Sequence, residues 1–229
     1  MNTIVITGAS RGVGLEFVRQ YSHVNSRIVA ACRQPAHSAP ILALSNERSN
    51  IVLEELDLTD QESITRFAKR LESMDTQLDL LINNAGTAEH EPFGQWTKPA
   101  LDKTFATNVS GPSLLMQELA PLLSKGSKVV NLSSGLASLT RKGGIGTEVA
   151  SYAASKAALN MMTVHAAAAL RANDITVVAI SPGWVKTDMG GPDASSDPAD
   201  AVALLRKTIS ALSFQDSGAF LQEDGSALP

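Results

Sequence analysis

Ile4-Val5-Ile6-Thr7-Gly8-Ala9-Ser10-Arg11-Gly12-Val13-Gly14 is the stretch whose reading decides the fold. A short apolar strand runs into a glycine-rich turn, and the residues that follow, through Phe17 to Tyr21, open a helix. The glycines are spaced Gly-x3-Gly-x-Gly. Gly8 permits a sharp turn, Gly12 lets the backbone approach a pyrophosphate, and Gly14 lets the helix pack on the sheet. The helix N-terminus then offers free N–H groups and the positive end of its dipole to phosphates. A plain glycine-rich loop is the bland alternative, and the strand in front of it favours a dinucleotide site.

Outward from this turn, strand and helix alternate along the whole chain. Apolar runs at residues 27–32, 51–56, 78–82, 129–132, 175–180 and 219–221 read as further strands. Between them, Asp60 caps a helix with apolar positions Ile64, Phe67, Ala68 and Leu71, at spacings of three and four. Residues 99–123 read as one long helix, an Ala-rich helix runs from before Tyr152 to about Ala172, and another covers 200–212. Strands that are apolar on both faces and alternate with helices indicate a parallel sheet covered on both sides. The expected fold is α/β: a Rossmann-type, doubly wound parallel sheet of about seven strands. Two irregular segments stand out. One is 135–150, with Gly143, Gly144 and Gly146; the other is 183–199, rich in Gly, Pro, Ser and Asp. Segments of this length in a compact domain are commonly lids or binding loops.

The chain has 229 residues, which is expected to be one domain, 1–229. Its net charge is −4 with no basic cluster, which argues against a nucleic-acid partner. Cys32 is the sole cysteine, so no internal disulfide can form, and a reducing compartment fits. No apolar run approaches the ~18–20 residues of a membrane span. Met1-Asn2-Thr3 leads straight into the first strand with no leader pattern. The expectation is a cytoplasmic protein.

Chemistry concentrates in Ser151-Tyr152-Ala153-Ala154-Ser155-Lys156. Four residues apart on a helix, Tyr152 and Lys156 share a face, one turn apart. The cation is expected to lower the Tyr152 pKa, and partial burial to lower that of Lys156. The pair can then exchange protons near neutral pH. Tyr-x3-Lys is common on helices, and it gains meaning here from the glycine turn. NAD sites place an acid at the end of the second strand; here that position reads Ala31-Cys32-Arg33. Arg33 and Arg11 can each reach a 2′-phosphate, which favours NADP over NAD. Asp57 can hydrogen-bond an adenine amino group; the alternative is a cap or turn.

These motifs together resemble the short-chain dehydrogenase/reductase family over nearly the whole length. The resemblance rests on Thr7-Gly8-x3-Gly12-x-Gly14, Asp57, Asn83-Asn84-Ala85-Gly86, Asn108, Ser134, Tyr152-x3-Lys156, and Pro182-Gly183 with Thr187. The segment from Pro182 to Gly190 is similar to the small carbonyl reductases and the C-signal-like branch. The family implies a tetrad. Tyr152 would protonate a substrate carbonyl oxygen as hydride arrives from the nicotinamide. Lys156 would lower the Tyr152 pKa and hold the ribose hydroxyls. Ser134 would bond the developing alkoxide. Asn108 would support a water chain to Lys156. The resemblance further implies NADP(H) as cofactor, held by Gly8, Ser10, Arg11, Gly12, Val13, Gly14, Arg33, Asp57, Leu58, Asn84, Ala85, Gly86, Tyr152, Lys156, Pro182, Gly183, Val185 and Thr187. Asn84 and Gly86 are expected to shape the backbone beside the cofactor rather than to do chemistry.

Several residues have rival readings. Ser133 is the alternative to Ser134, and the family aligns the second serine. The distance from Ser134 to Tyr152 exceeds the usual family spacing, which weakens analogies about the substrate pocket. His23, His37, His90 and His165 show no metal spacing, so no metal is expected. Trp184, Phe93, Trp96 and Met189 are candidates for a pocket or for packing. The helix after Lys156 carries no Asp, Glu, Lys or Arg until Arg171. A homo-oligomer contact or close intrachain packing explains its second apolar face. The function expected is reduction of a ketone or aldehyde, with a carbonyl or alcohol as the small-molecule partner. An NADP-binding sensor with little turnover is the alternative.

Overall fold

The computed structural model of the protein describes residues 2–74, 77–140 and 148–229. Strands β1 (Asn2–Thr7), β2 (Ser26–Cys32), β3 (Ile51–Glu55), β4 (Leu78–Asn83), β5 (Leu123–Leu132), β6 (Thr176–Ile180) and β7 (Phe220–Leu221) form one sheet. Their order is β3-β2-β1-β4-β5-β6-β7, and every pairing is parallel. The chain winds outward from β1 to β3, then restarts at β4 on the other side of β1. That reversal is a topological switch point, the crevice where open α/β sheets bind ligands.

Successive strand residues point to opposite faces, so both faces are apolar. Ile4, Ile6, Ile28, Ile82, Val130 and Val178 pack with α1 (Gly12–Tyr21), α2 (Ala39–Glu47) and α7 (Pro198–Ala211). Val5, Val29, Leu81, Val129 and Val177 pack with α3 (Gln61–Ser73), α5 (Gly111–Leu119) and the Ala-rich α6 (Ala150–Ala169). Asp60 caps α3, accepting a 2.9 Å bond from the Glu62 N–H, and Ile64, Phe67, Ala68 and Leu71 are its buried face, as expected. No helix among the described residues is long and apolar enough to cross a membrane.

Two helical stretches differ from what the sequence suggests. Helix α2 was not anticipated: only Ile41 and Leu44 of its nine residues are buried, too few for a helical stripe to stand out. The long helix at 99–123 is three pieces and ends early. Helix α4 (Lys98–Phe105) runs through a π-turn at Ala106–Ser110 into α5, a 3-10 turn covers Ala120–Leu122, and Leu123 already belongs to β5. The first half of β5 is polar, Ser124-Lys125-Gly126-Ser127-Lys128, because it leaves the sheet's apolar interior at the amino end. Its pairing with β4 shifts register there, between Leu78 and Leu80.

Candidate active site

Six of the segments singled out from the sequence emerge at the carboxyl edge of the sheet. Gly8 follows β1, Arg33 follows β2, Asp57 and Leu58 follow β3, Asn84 to Gly86 follow β4, Ser134 follows β5, and Pro182 to Thr187 follow β6.

The glycine turn is packed so tightly at Gly8 and Gly14 that neither position has room for a Cβ. Gly8 has φ +66°, and a Cβ there would lie 2.8 Å from the Ala85 Cα. A Cβ at Gly14 would lie 2.3 Å from the Gly8 carbonyl and 2.4 Å from Asn84 Nδ2, so Gly14 seats the helix on the turn itself. Asn84 stitches the turn to the neighbouring strand: its Nδ2 donates to the Thr7 carbonyl at 2.8 Å and the Gly8 carbonyl at 3.2 Å. The Thr7 hydroxyl accepts in return from the N–H groups of Asn84 and Ala85, each at 3.1 Å. Thr7 was noted only as part of the turn motif; its pairing with Asn84 spans 77 positions and leaves no local signal. Arg11 caps α1 with no side-chain hydrogen bond, and no acid sits in the first turn. The first N–H groups of the helix therefore keep their capacity for an anion. Gly12 has φ +55° and faces Thr187, whose Cγ2 would be 3.2 Å from a Cβ there. Ser10 is tied by its carbonyl to the Ser38 hydroxyl, and Val13 packs against the core.

The adenosine end is looser. Arg33 is exposed and makes no hydrogen bond or ion pair among the described residues. Arg11 is paired with Asp188, Nη1 to Oδ2 at 3.2 Å. Asp57 forms a turn, its Oδ1 accepting from the Thr59 N–H at 2.9 Å and the Thr59 hydroxyl at 2.7 Å. The Leu58 side chain is buried in the core, so only its backbone can face a ligand. Cys32 is buried at the strand end, and burial pushes its thiol up.

The four catalytic candidates form one connected cluster. Lys156 is 4% exposed, and its Nζ donates to the Leu132 carbonyl at 2.7 Å. It lies 5.8 Å from the centre of the Tyr152 ring. Burial pulls the Lys156 ammonium down to about 8. For Tyr152 the expected depression is absent: burial pushes the phenol above 10.0, and only the Ser134 hydroxyl beside it pulls the other way. Desolvation of the phenolate outweighs that hydrogen bond, and Lys156, itself losing its charge, adds no offsetting pull. Ser134 caps a 3-10 turn at Gly135–Ala137, accepting from the Leu136 N–H at 3.2 Å. Ser133, the rival candidate, is 2% exposed and donates to Asn160 Oδ1 at 2.6 Å. Its hydroxyl holds α6 to β5, while Ser134 is the one beside the phenol.

Asn108 sits in the π-turn, fully buried, and its amide is committed to the protein. Oδ1 accepts from the Thr87 N–H at 2.8 Å, while Nδ2 donates to the Thr87 carbonyl at 2.8 Å and to Ser155 Oγ at 2.9 Å. Ser155 in turn donates to the Tyr152 carbonyl at 2.7 Å. The side chain thereby fixes the β4 loop against α6. A Cβ at Gly86 would stand 3.4 Å from Asn108 Oδ1 and 3.6 Å from Lys156 Nζ, so the bare glycine leaves the ammonium reachable.

Residues 183–199, irregular in the sequence, are internally bonded. Trp184 Nε1 donates to the Gly190 carbonyl at 2.8 Å, Thr187 Oγ1 accepts from the Gly190 N–H at 3.1 Å, and Val185 pairs with Ser196. Gly183 has φ +77° and lies against the Glu223 carboxylate, and Pro182 is half-buried. Phe93 and Trp96 meet edge to face at 5.3 Å but stand 81% and 48% exposed, so they line no enclosed pocket. Gly143, Gly144 and Gly146 lie outside the described residues. A cleft of about 770 Å³ opens at the opposite, amino end of the sheet, beside Asn2, Asp79 and Lys128, away from this cluster. No group of three His, Cys, Asp or Glu among the described residues could hold a metal.

A switch-point crevice, a helix end without a side-chain cap beside the close-packed Gly8 and Gly14, and a buried amine beside a phenol are the parts of a nucleotide-dependent oxidoreductase of the Rossmann type. The comparisons make this specific: the chain belongs to the short-chain dehydrogenase family, whose model matches residues 2–197. It is similar to the NADPH-bound carbonyl reductase from chicken fatty liver, at 33% identity and TM-score 0.92, covering 100% of this chain and 98% of that one. The carbonyl reductase Sniffer of Drosophila melanogaster superposes with a TM-score of 0.93 at 30% identity, covering 100% and 99% of the two chains. The C-signal protein of Myxococcus xanthus is 34% identical over 66% of this chain and 92% of its own.

Proposed function

We propose that this protein is an NADPH-dependent reductase of ketones or aldehydes, with Tyr152 as its acid. The observation that carries the reading is the cluster of buried Lys156 with half-buried Tyr152 and Ser134, at the same carboxyl edge of the sheet as the glycine turn. When bound, the nicotinamide supplies hydride to the carbonyl carbon. Tyr152 gives its proton to the carbonyl oxygen; burial holds its phenol in the protonated form that a donor starts from. Ser134 orients that oxygen. Lys156, with a pKa near 8, holds the ribose hydroxyls and takes part in returning a proton to Tyr152. Asn108 positions the wall beside Lys156; with both of its N–H donors in use, a water relay there falls to its acceptors. Gly8, Gly12, Gly14, Ser10 and Val13 cradle the pyrophosphate, while Asn84 to Gly86 and Pro182 to Thr187 flank the nicotinamide side.

The NADP preference rests on two things: no acid follows β2, and Arg33 stands free where Arg11 also can reach a 2′-phosphate. A cytoplasmic location, no nucleic-acid partner, and self-association through the uncharged face of α6 complete the reading. The test is a panel of small carbonyl compounds with NADPH. Consumption of NADPH by the wild type is expected. Tyr152→Phe should lower kcat by about 100- to 10,000-fold while NADPH still binds. NADPH binding with no turnover across the panel would point instead to a sensor, the reading that similarity to C-signal supports.

A further inference from the structure

Arg11 stands at the helix cap of the glycine turn, yet its guanidinium is already paired. Its Nη1 lies 3.2 Å from Asp188 Oδ2, a contact across 177 positions that joins the turn to the segment after β6. Next door, the Thr187 methyl covers Gly12. Two adjacent residues therefore fasten this segment over the turn, one by packing and one by charge. Asp188 has no other hydrogen bond among the described residues, and it adds no cap or turn of its own.

We propose that Asp188 competes with the 2′-phosphate of the cofactor for Arg11, and so sets how strongly the protein distinguishes NADPH from NADH. The inference rests on the NADP reading above, in which Arg11 meets that phosphate. The pair is exposed, at 74% and 79%, so its strength is modest and salt-sensitive. An exposed pair of this kind holds a partner back by up to about fivefold. A binding group engaged elsewhere lowers apparent affinity by the fraction of time it is engaged. NADH places no phosphate at Arg11 and does not enter this competition. The hold of the segment on the turn is common to both cofactors and cancels in the ratio of their dissociation constants.

The experiment measures that ratio, Kd for NADH over Kd for NADPH, from cofactor fluorescence in the wild type, Asp188→Asn, Arg11→Gln and the double variant. Asp188→Asn should raise the ratio about three- to fivefold at low salt and less at high salt. In the Arg11→Gln background the same change should leave the ratio unaltered. A ratio unmoved by Asp188→Asn overturns the proposal. An equal rise with and without Arg11 also overturns it, because plain repulsion between Asp188 and the phosphate would then suffice. If Arg11→Gln alone leaves the ratio intact, the assignment of Arg11 to the phosphate fails first, and that result is distinguishable from the other two.

Discussion

Lys156 is a buried ammonium whose one hydrogen bond among the described residues goes to the Leu132 carbonyl, and its titration should be visible in the stability of the fold. Its pKa of about 8 lies below the 10.5 of a free lysine. Between those values the unfolded chain keeps a proton that the folded chain has released, so stability rises with pH across that window. Above about pH 10 the phenols act in the opposite sense. Tyr21, pushed up to about 12 by burial, and Tyr152, also raised, keep protons that the unfolded chain gives up, and stability falls. Urea titrations of wild type and Lys156→Met at several pH values from about 7 to 10 isolate the lysine. The wild type should gain on the order of 2 kcal/mol relative to the variant over that range. A difference that stays flat with pH would mean that Lys156 is not desolvated as described. Much at this scale was readable in the sequence, since spacing alone put Tyr152 and Lys156 on one face. The sign of the Tyr152 shift was not, because it depends on how much water the surrounding fold removes.

Among the elements, the π-turn between α4 and α5 does the most positioning. Widening the helix by a residue there turns Asn108 inward, and π-turns recur at functional sites for this reason. Asn108→Ala would delete three hydrogen bonds and leave the Thr87 N–H and carbonyl unpaired. The loss should be about 1–3 kcal/mol in urea unfolding, since Thr87 is half-buried and water reaches part of what the amide leaves. A cost below about 1 kcal/mol would show that water replaces the amide. The sequence reads 99–123 as one helix because its apolar residues continue through the interruption. A π-turn inserts a residue without any composition signal. Helix α2 was missed for the reverse reason: its burial is too slight to imprint a period. The strands were legible because burial on both faces writes them as short apolar runs, and β5 lost its polar half for want of that burial.

At the scale of the whole molecule, the sheet divides the interior into two cores with neighbouring residues serving different ones. Leu81 packs on the α3–α5–α6 side and Ile82 on the α1–α2–α7 side, and both are fully buried. Leu81→Ala and Ile82→Ala should each cost about 2–5 kcal/mol. Both should show one urea transition by tryptophan fluorescence and by far-ultraviolet circular dichroism. Separate midpoints for the two probes would mean that the layers unfold independently. The gross architecture was open to a sequence reader, since one glycine turn and a repeating strand–helix rhythm imply the winding. Contacts between distant turns were not: the link from Arg11 to Asp188 and the bond from the Glu91 N–H to the Glu148 carbonyl join segments with no shared pattern.

The reciprocal bonds between Thr7 and Asn84 carry one last consequence. They bolt two strand ends together at the point where the winding reverses, so β1 and β4 leave the sheet as one joined edge. Removing either partner would therefore loosen both strand ends at once, and with them the glycine turn on one side of the crevice and the Asn84–Gly86 loop on the other.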